Sequence, residues 1–358
     1  MVFVLCLSLA LNGATSTTHI ADSNFPLLSK PALWSTWFAA PPRLPLCGDF
    51  DGDGFADMMC YYPPDNGIID AAPNRKAQKS GWGFQARVGF GKDCVLVEIG
   101  NFIKNEKGVE IIGYLSDGSV RIAKNKKENK YEVVEEVYKF YPPLKSPIIG
   151  KTSTKQNGDG CIIVSGESGK GTEFRFMEGE VTQTIPVTCP ANTTQIEKGN
   201  VEGYDGESVV IKDKNGDVYL INKGKSKNIA SVKVDEEVLI WNRGVLIGNK
   251  WFYRNQVYSL EELDLIKKPY KIKKGDLDAD GRDDLMVFRY GNEKHEAHDI
   301  YILFSIDKND DDYDRDGLKN EEEKVYGTDM FDRDTDNDGL LDGWEVNGIR
   351  ELNLSEMG

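Results

Sequence analysis

The feature that most limits the possible folds of this 358-residue chain is an approximate repeat, of about fifty residues, that begins each time with glycine. "GDFDGDGFADMMCYY" starts at Gly48 and has a partner, "GDLDADGRDDLMVFRY", at Gly275. Weaker copies start at Gly100, Gly150 and Gly199, and a compressed copy, "LIWNRGVLIGNKWFYRNQVYSL", fits before Gly275. A period of this length is typical of propellers and solenoids, in which each unit buries its faces against its neighbours.

Each copy contains short apolar runs separated by glycine, asparagine or aspartate turns. In "IIGYLSDGSVRIA", Asp117 and Gly118 predict a tight hairpin between two strands. Helical periodicity is not convincing anywhere in the repeats. The sequence therefore predicts an all-β body, a β-propeller of six or seven four-stranded blades. Residues near 33 to 46 are expected to complete the last blade and so close the ring. A β-sandwich is the alternative, but it would not repeat its turn residues at a fixed interval.

The N-terminus predicts export from the cytoplasm. An apolar stretch from Val2 to Leu11 is followed by small and polar residues, as in a secretory signal, although no lysine or arginine precedes it. A buried first strand is the alternative. We predict a signal peptide at 1–16, a linker at 17–32, the propeller at 33–306, an acidic tail at 307–349 and a C-terminal segment at 350–358. No later stretch is long and apolar enough to span a bilayer.

Composition narrows the partners and the cysteine chemistry. The chain has 59 acidic and 44 basic residues and a net charge of -15, which argues against nucleic acid and anionic lipid and fits cation binding. The cysteines beyond the signal are Cys47, Cys60, Cys94, Cys161 and Cys189. Local bridges, Cys60 with Cys94 and Cys161 with Cys189, fit an oxidising compartment. Buried free thiols are the alternative.

The tail contains the same twelve-residue pattern twice. "DYDRDGLKNEEE" begins at Asp312 and "DTDNDGLLDGWE" at Asp334, each with acids at positions 1, 3 and 5, glycine at 6 and glutamate at 12. Calcium takes six to eight oxygen ligands, and this spacing turns them toward one point. A solvated acidic linker would not need glycine and glutamate in register twice. The predicted ligands are Asp312, Asp314, Asp316, the Leu318 carbonyl, Asn320 and Glu323, and then Asp334, Asp336, Asp338, the Leu340 carbonyl, Asp342 and Glu345.

These loops resemble the bacterial thrombospondin type 3 repeat. The resemblance covers residues 308 to 349 and includes the "GTD" from Gly327 to Asp329. It implies calcium bound along an extended, nearly helix-free run, in a secreted or surface protein. Met330 stands where members often have proline, which leaves the turn between the loops in question.

The body resembles the FG-GAP or VCBS repeat, the blade of integrin-like propellers, in which a nine-residue loop between two strands binds calcium. The corresponding loops at Gly100 and Gly199 lack most of the acids, so the resemblance implies binding in the first and last blades only. The implied ligands are Asp49, Asp51, Asp53, the Phe55 carbonyl and Asp57, and then Asp276, Asp278, Asp280, the Arg282 carbonyl and Asp284.

The sequence does not predict an enzyme. The chain has three histidines, and "HEAH" from His295 to His298 lacks the spacing of a zinc protease. The clustered acids have metal-ligand spacing rather than that of a catalytic pair. We therefore predict a secreted or cell-surface calcium-binding propeller that binds an extracellular protein or glycan, as an adhesion module does. The alternative is the non-catalytic N-terminal region of a larger secreted hydrolase, such as a metalloprotease.

Overall fold

The structure of the chain is a computed structural model. It describes residues 27–36, 44–62, 67–74, 84–88, 90–103, 108–126, 130–154, 158–177, 180–254, 256–266, 270–289, 299–307 and 309–348. The predicted signal peptide at 1–16, the first ten residues of the linker and the C-terminal segment at 350–358 lie outside these ranges. Within them, no helix is long and apolar enough to cross a membrane.

The body consists of antiparallel four-stranded units that follow one another along the chain, and the prediction of an all-β body is confirmed. Two strands precede them, β1 (Leu27–Leu28) and β2 (Ala32–Thr36). Unit 1 comprises β3 (Leu44–Gly48), β4 (Asp57–Tyr62), β5 (Ile68–Ala72) and β6 (Phe84–Arg87). Unit 2 comprises β7 (Cys94–Gly100), β8 (Glu110–Leu115), β9 (Ser119–Lys126) and β10 (Lys130–Lys139). Unit 3 comprises β11 (Pro147–Thr154), β12 (Gly158–Ser165), β13 (Lys170–Met177) and β14 (Glu180–Thr188).

The remaining units continue the pattern. Unit 4 comprises β15 (Thr193–Asn200), β16 (Glu207–Asp213), β17 (Asp217–Asn222) and β18 (Lys225–Ser231). The compressed copy is unit 5, with β19 (Val238–Trp241), β20 (Gly244–Ile247), β21 (Lys250–Tyr253) and β22 (Gln256–Ser259). A short helix, α1 (Glu261–Asp264), leads to unit 6, which comprises β23 (Tyr270–Gly275), β24 (Asp284–Arg289), β25 (Asp299–Leu303) and β2. One parallel pairing, Thr152 with Lys198, joins units 3 and 4.

The N-terminal segment pairs with the last unit through a shorter stretch of residues than we predicted. Of the residues expected near 33 to 46, β2 pairs with β25 and completes unit 6, but Leu44–Gly48 already forms the first strand of unit 1. The shorter β1 pairs with β26 (Ser305–Ile306), just after unit 6. The chain thus joins its first strands to its last unit, which leaves that unit with four strands like the others.

Buried side chains form a cluster between each unit and the next. In β4, Met58 and Cys60 pack with residues of unit 6, whereas Met59 and Tyr61 pack with residues of unit 2. Side chains alternate between the two faces of a strand, so each unit buries both of its faces. Equivalent clusters lie between units 2 and 3, 3 and 4, 4 and 5, and 5 and 6. The cluster shared by units 6 and 1 closes the series into a ring.

The five described cysteines are free and buried, so the predicted local bridges do not form. Cys60 belongs to the cluster between units 6 and 1, whereas Cys94 belongs to the cluster between units 1 and 2. Cys161 and Cys189 likewise pack on opposite faces of unit 3. Each of these four thiols therefore fills a different hydrophobic layer, and burial raises the pKa of Cys94, Cys161 and Cys189.

The first strands of the units surround a central cavity of about 620 Å³. Residues of β3, β7, β11, β15, β19 and β23 line it. Side chains of one first strand also bind backbone N–H groups of the next, so neighbouring strands are tied together without a continuous ladder. The N–H of Ile240 donates to Glu197 at 2.8 Å, and that of Val238 donates to Gln195 at 3.1 Å.

The repeated glycines lie on these first strands, where the next unit approaches closely. A Cβ at Gly150 would lie 1.9 Å from the carbonyl oxygen of Ile196, in unit 4. At Gly199 the nearest atom would be Ile240 Cδ1, at an ordinary contact distance of 3.5 Å. We therefore predict that Gly150→Ala lowers the free energy of unfolding by about 1–3 kcal/mol, as overpacking does, and that Gly199→Ala costs less than about 1 kcal/mol. Urea unfolding measures both, and equal losses would contradict this packing.

The tail is less irregular than predicted, since a short helix begins at the ninth position of each twelve-residue loop. Helix α2 (Asn320–Tyr326) begins in the first loop, and residues 342–348 form a second helix, α3, which begins in the second loop. Three glutamates in the first turn of α2 favour the positive end of the helix dipole. Gly327, with φ of 83°, ends this helix, and its N–H donates to the carbonyl of Glu323.

The tail packs against the body. The backbone N–H of Lys30, just after β1, donates to the carbonyl of Phe331 at 2.7 Å. Its ammonium pairs with Asp329 at 2.9 Å and with Asp332 at 3.2 Å. The guanidinium of Arg333 lies 5.5 Å from the ring centre of Phe304, next to β26. The acidic loops of the tail are therefore held beside unit 6.

Candidate metal centre

Four loops with alternating acids have the same backbone conformation. We name them loop A (49–57), loop B (276–284), loop C (312–323) and loop D (334–345). Positions 4 and 6 have positive φ in every loop, from 61° to 100°: Gly52, Ala279, Arg315 and Asn337 at position 4, and Gly54, Gly281, Gly317 and Gly339 at position 6. A Cβ added at any of the four position 6 glycines would have no other atom within 4 Å. These residues do, however, adopt the left-handed backbone conformation that favours glycine. Conformation, not crowding, therefore explains the glycine at position 6.

The acids at positions 1 and 5 hold this conformation by accepting backbone hydrogen bonds. In loop B, Asp276 accepts from the N–H of Gly281 at 2.8 Å, and Asp280 accepts from that of Arg282 at 2.8 Å. The equivalent position 1 bonds join Gly54 to Asp49, Gly317 to Asp312 and Gly339 to Asp334. The equivalent position 5 bonds join Phe55 to Asp53, Leu318 to Asp316 and Leu340 to Asp338. The residues whose N–H groups bind position 5 are those at position 7, and their carbonyls are the predicted backbone ligands.

The residue at position 9 has a structural role that the sequence reasoning missed. In each loop it accepts a hydrogen bond from the N–H at position 2: Phe50 to Asp57, Leu277 to Asp284, Tyr313 to Asn320 and Thr335 to Asp342. In the body, the position 9 residue also accepts a second hydrogen bond. Asp57 accepts one from the N–H of Asn74, just after β5, and Asp284 accepts one from the N–H of Ser305, in β26. Position 9 therefore ties the loop to the sheet, whether or not it also binds an ion.

Three carboxylates in each loop can each place one oxygen within 4.8 Å of the others. The groups are Asp49, Asp51 and Asp53; Asp276, Asp278 and Asp284; Asp312, Asp314 and Asp316; and Asp334, Asp336 and Asp338. In loops A, C and D these are positions 1, 3 and 5, which the sequence named. In loop B, Asp284 takes the place of Asp280, whose carboxylate pairs with Arg282. Asp57, Asn320, Glu323, Asp342 and Glu345 lie outside these groups.

Loop C is the most buried of the four. Asp314 and Asp316 are each 1% exposed and Glu323, at position 12, is 0% exposed. Five of its carboxylate oxygens are buried without a hydrogen-bond partner among the described residues. They are Asp312 Oδ1, both oxygens of Asp314 and both oxygens of Glu323. Burying a carboxylate without a partner is costly, so this arrangement requires a proton or a cation.

The pKa values of the loop C carboxyl groups also indicate that these groups are buried without enough positive charge. Burial, followed by the charges of Asp316 and Glu323, raises the pKa of Asp314 to about 9. Burial and then the neighbouring aspartates raise the pKa of Glu323 to about 8. The pKa of Asp316 rises to about 6, again through burial, although two backbone N–H groups oppose the rise. Near neutral pH the loop therefore needs an added positive charge.

Two arginines of the described residues, Arg333 and Arg315, act on this group. The guanidinium of Arg333 is 4% exposed and interacts electrostatically with Asp314, Asp316 and Asp312. Burial lowers its pKa and the three aspartates oppose that effect. Arg315 lowers the pKa of Asp312 as well, but its guanidinium pairs with Asp278 and Asp310, so the two arginines do not balance the four carboxylates. The residues of loop C therefore fit a divalent cation, for which oxygen-rich, acidic donor sets are typical.

Loops A, B and D are more open. In loop A, Asp51 and Asp53 are exposed, and burial raises the pKa of Asp49 and Asp51. In loop D, Asp336 and Asp338 are exposed. The partly exposed Glu345 lies near enough to these acids for their charges, after burial, to raise its pKa. These loops have the backbone of loop C without its buried, unpaired oxygens.

Loop B is linked to loop C through arginine. Arg315, at position 4 of loop C, pairs through Nε with Asp278 at 2.7 Å and through Nη2 with Asp310 at 3.2 Å. The side chain of Asp278 is only 4% exposed, so this ion pair is largely removed from water. Arg282 of loop B reaches back to Asp310 at 2.9 Å. Two arginines thus join the acids of unit 6 to the tail.

Arg315 is therefore expected to anchor the tail. We predict that Arg315→Ala increases hydrogen exchange throughout residues 309–348, because it leaves Asp278 buried without its partner. A double-mutant cycle with Asp278→Ala should give a coupling energy of about 1–3 kcal/mol. Lys319→Ala, in the same loop, is the control, since the pair of Lys319 with Asp311 is exposed and should contribute little to stability. Equal effects of the two variants would contradict the anchor.

Loops C and D also contact each other directly. The second oxygen of Asp316 accepts a hydrogen bond from the N–H of Gly343, at the start of α3, at 2.8 Å. A Cβ at Gly343 would lie 2.4 Å from the carbonyl oxygen of Asp316, so only glycine allows this approach. The position of the first turn of α3 therefore depends on the conformation of loop C.

Comparisons with known proteins give no family. No protein-family model matches the chain, and no curated protein matches it. Two similar solved structures are crystal structures of BBS1N in complex with ARL6DN, one soaked with mercury and one with lead. The first is 11% identical with a TM-score of 0.44, and covers 76% of this chain and 97% of its own. The second is 12% identical with a TM-score of 0.42 and the same coverage. Similarity at this level gives no basis for assigning an activity or a partner.

Proposed function

We propose that this protein is a calcium-stabilised β-propeller of six blades, secreted or displayed on the cell surface, that binds an extracellular ligand. The six units would be the blades. The hydrophobic clusters between consecutive units, including the one between units 6 and 1, support this arrangement. The resemblance of the body to FG-GAP or VCBS repeats, and of the tail to thrombospondin type 3 repeats, supports the same proposal.

The five buried oxygens of loop C are the observation that carries the calcium part of the proposal. Calcium accepts six to eight oxygens in flexible geometry, and both carboxylates and a backbone carbonyl, such as that of Leu318 at position 7, are suitable donors. Magnesium keeps several waters and demands near-ideal octahedral geometry. A buried donor set rich in carboxylates therefore favours calcium.

The effect proposed for calcium is structural. Neutralising Asp314 and Glu323 would allow loop C to stay buried against unit 6, and the bond from Gly343 to Asp316 would extend this order to α3. The arginine contacts with loop B would then be fixed as well. The tail would thus be held in place only where calcium is plentiful, as it is outside cells.

Terbium luminescence tests the calcium proposal, because terbium(III) replaces calcium in oxygen-donor sites and is excited by a nearby tyrosine. Tyr313 occupies position 2 of loop C. We expect terbium emission on tyrosine excitation, loss of that emission when calcium is added, and strong reduction in both Asp314→Asn and Tyr313→Phe. Asp93→Asn, at an exposed turn, is the matched control. Emission that is absent, or that persists unchanged in Asp314→Asn, would refute the site in loop C.

The proposed binding role has a location in the central cavity. A volume of about 620 Å³ is within the range of about 300–1,000 Å³ that small-molecule sites occupy. Charged side chains line this cavity, which distinguishes it from a packed core.

A further inference from the structure

The central cavity contains charges that the fold leaves without partners. Of its three lysines, Lys151 pairs with Asp159 at 3.1 Å, and Lys274 pairs with Glu197 at 2.7 Å. The ammonium of Lys273, on β23, forms no hydrogen bond or ion pair with any described residue. Two lysines thus stabilise the wall, and the third is available to a ligand.

Two carboxylates of the cavity are similarly available. Glu98, on β7, accepts one hydrogen bond, from the N–H of Ile99 at 3.0 Å, and forms no ion pair with a described residue. Glu237 accepts from the N–H of Ile272 and is likewise without an ion pair in the described part of the chain. Each of these carboxylates uses a single oxygen in its bond to the backbone. The other oxygen remains for a donor from outside.

Lys273 and Glu98 belong to units 6 and 2, which flank unit 1, and both line the cavity. They do not form an ion pair, but each affects the other. Burial would lower the pKa of Lys273, and the charges of Glu237, Glu98 and Glu197 together raise it. Burial raises the pKa of Glu98, and Lys273 opposes that rise. The cavity therefore presents a positive group and a negative group that do not pair with each other.

We propose that the central cavity binds a small zwitterion, a free amino acid or short peptide, whose carboxylate pairs with Lys273 and whose ammonium pairs with Glu98 and Glu237. An anion alone would satisfy Lys273 and leave two carboxylates without a donor. A cation alone would leave Lys273 without an acceptor. A ligand with both groups satisfies all three, and charge-assisted hydrogen bonds of this kind are strong.

This inference rests on the proposed ligand-binding role and narrows that role to a chemical class. It does not depend on calcium in loop C, because Lys273 and Glu98 lie on first strands of the body and Glu237 lies just before β19, and no residue of loop C lines the cavity. A failure of the calcium proposal in the terbium experiment would therefore leave it unaffected, and the reverse also holds.

Calorimetry on the full chain in saturating calcium tests the inference, with the twenty common L-amino acids and glycylglycine as individual probes. Ethylamine and acetate carry one charge each and serve as controls. We expect at least one zwitterion to bind and to bind about ten-fold or more tightly than either control. Lys273→Met and Glu98→Gln should each weaken that binding by about ten-fold or more.

The matched control variants are Lys225→Met and Glu167→Gln, which alter exposed residues. They should bind as the wild type does. Thermal unfolding establishes that each variant is folded, and a second pair, Lys273→Arg and Glu98→Asp, retains the charges and should restore part of the binding. The inference is wrong if no probe binds the wild type, if ethylamine or acetate binds as well as the zwitterion, or if Lys273→Met and Glu98→Gln bind normally.

Discussion

Removal of calcium by a chelator is expected to unfold residues 307–345 and to leave units 1 to 6 folded. The units are held by hydrophobic clusters between all neighbours, which contain no metal ligand of loops C and D. The tail buries few large apolar side chains, among them Leu318, Leu341 and Val346, and it buries Asp314 and Glu323 with them. Its order therefore depends on neutralising those acids.

The size of this effect follows from mass action. Extracellular calcium modules often have dissociation constants of about 0.1–1 mM. At ten times the dissociation constant, one site stabilises the folded form by about 1.4 kcal/mol. Several sites acting on a short segment can thus determine whether it is folded.

Limited proteolysis and hydrogen exchange, with and without chelator, measure the result. Cleavage should move into residues 307–345 when calcium is removed, whereas amides of the first strands should keep their protection. Magnesium at the same concentration is the control and should not restore the tail. A cleavage pattern that is the same with and without chelator would contradict the role of calcium in ordering the tail.

We expect Asp314→Asn to stabilise the tail when calcium is absent and to destabilise it when calcium is present. Without calcium it should stabilise the tail at neutral pH, because it removes a carboxyl group that must take up a proton to stay buried. With calcium it should destabilise the tail, because it removes a ligand. Hydrogen exchange of residues 309–348 reports both effects, and Asp93→Asn again provides the control.

The same carboxylate gives the calcium-free tail a pH dependence whose sign can be worked out. Asp314 has a folded pKa of about 9, far above its usual value of about 3.9, so the folded tail binds more protons than the unfolded one between these values. Stability is therefore full below about pH 4 and falls as pH rises toward about 9. The tail should be better protected at pH 5 than at pH 8 without calcium, after correction for intrinsic exchange rates. Asp314→Asn should reduce this difference, and an unchanged difference would contradict the assignment to Asp314.

Much of the fold could be predicted because its constraints are local and repeated. The glycine at the start of each copy marks a first strand, and Gly150 shows why, since the next unit lies within 1.9 Å of a potential Cβ. The compressed copy forms unit 5, with strands at the apolar runs. The twelve-residue spacing likewise indicated where acids would converge, because positions 4 and 6 determine the loop backbone locally.

What could not be predicted depends on contacts between distant segments. Neither Arg315 nor Asp278 carries a sequence signal for their ion pair, which joins loops that are 37 residues apart. The second bonds of Asp57 and Asp284 depend on which strand lies beside each loop. The cysteines remain free because alternate residues of a strand face different units, and this assignment requires the ring order. Burial separates loop C from loop D, although loop D matches the calcium-loop template equally well along its sequence.

The most direct test of the central claim is a calorimetric calcium titration of the wild type against the double variant Asp314→Asn, Glu323→Gln. The claim is that the buried acids of loop C hold a divalent cation. We predict saturable binding to the wild type at up to four loops, and a stoichiometry that is lower by one in the double variant. An identical stoichiometry and affinity in the two proteins, or no binding to either, would contradict it.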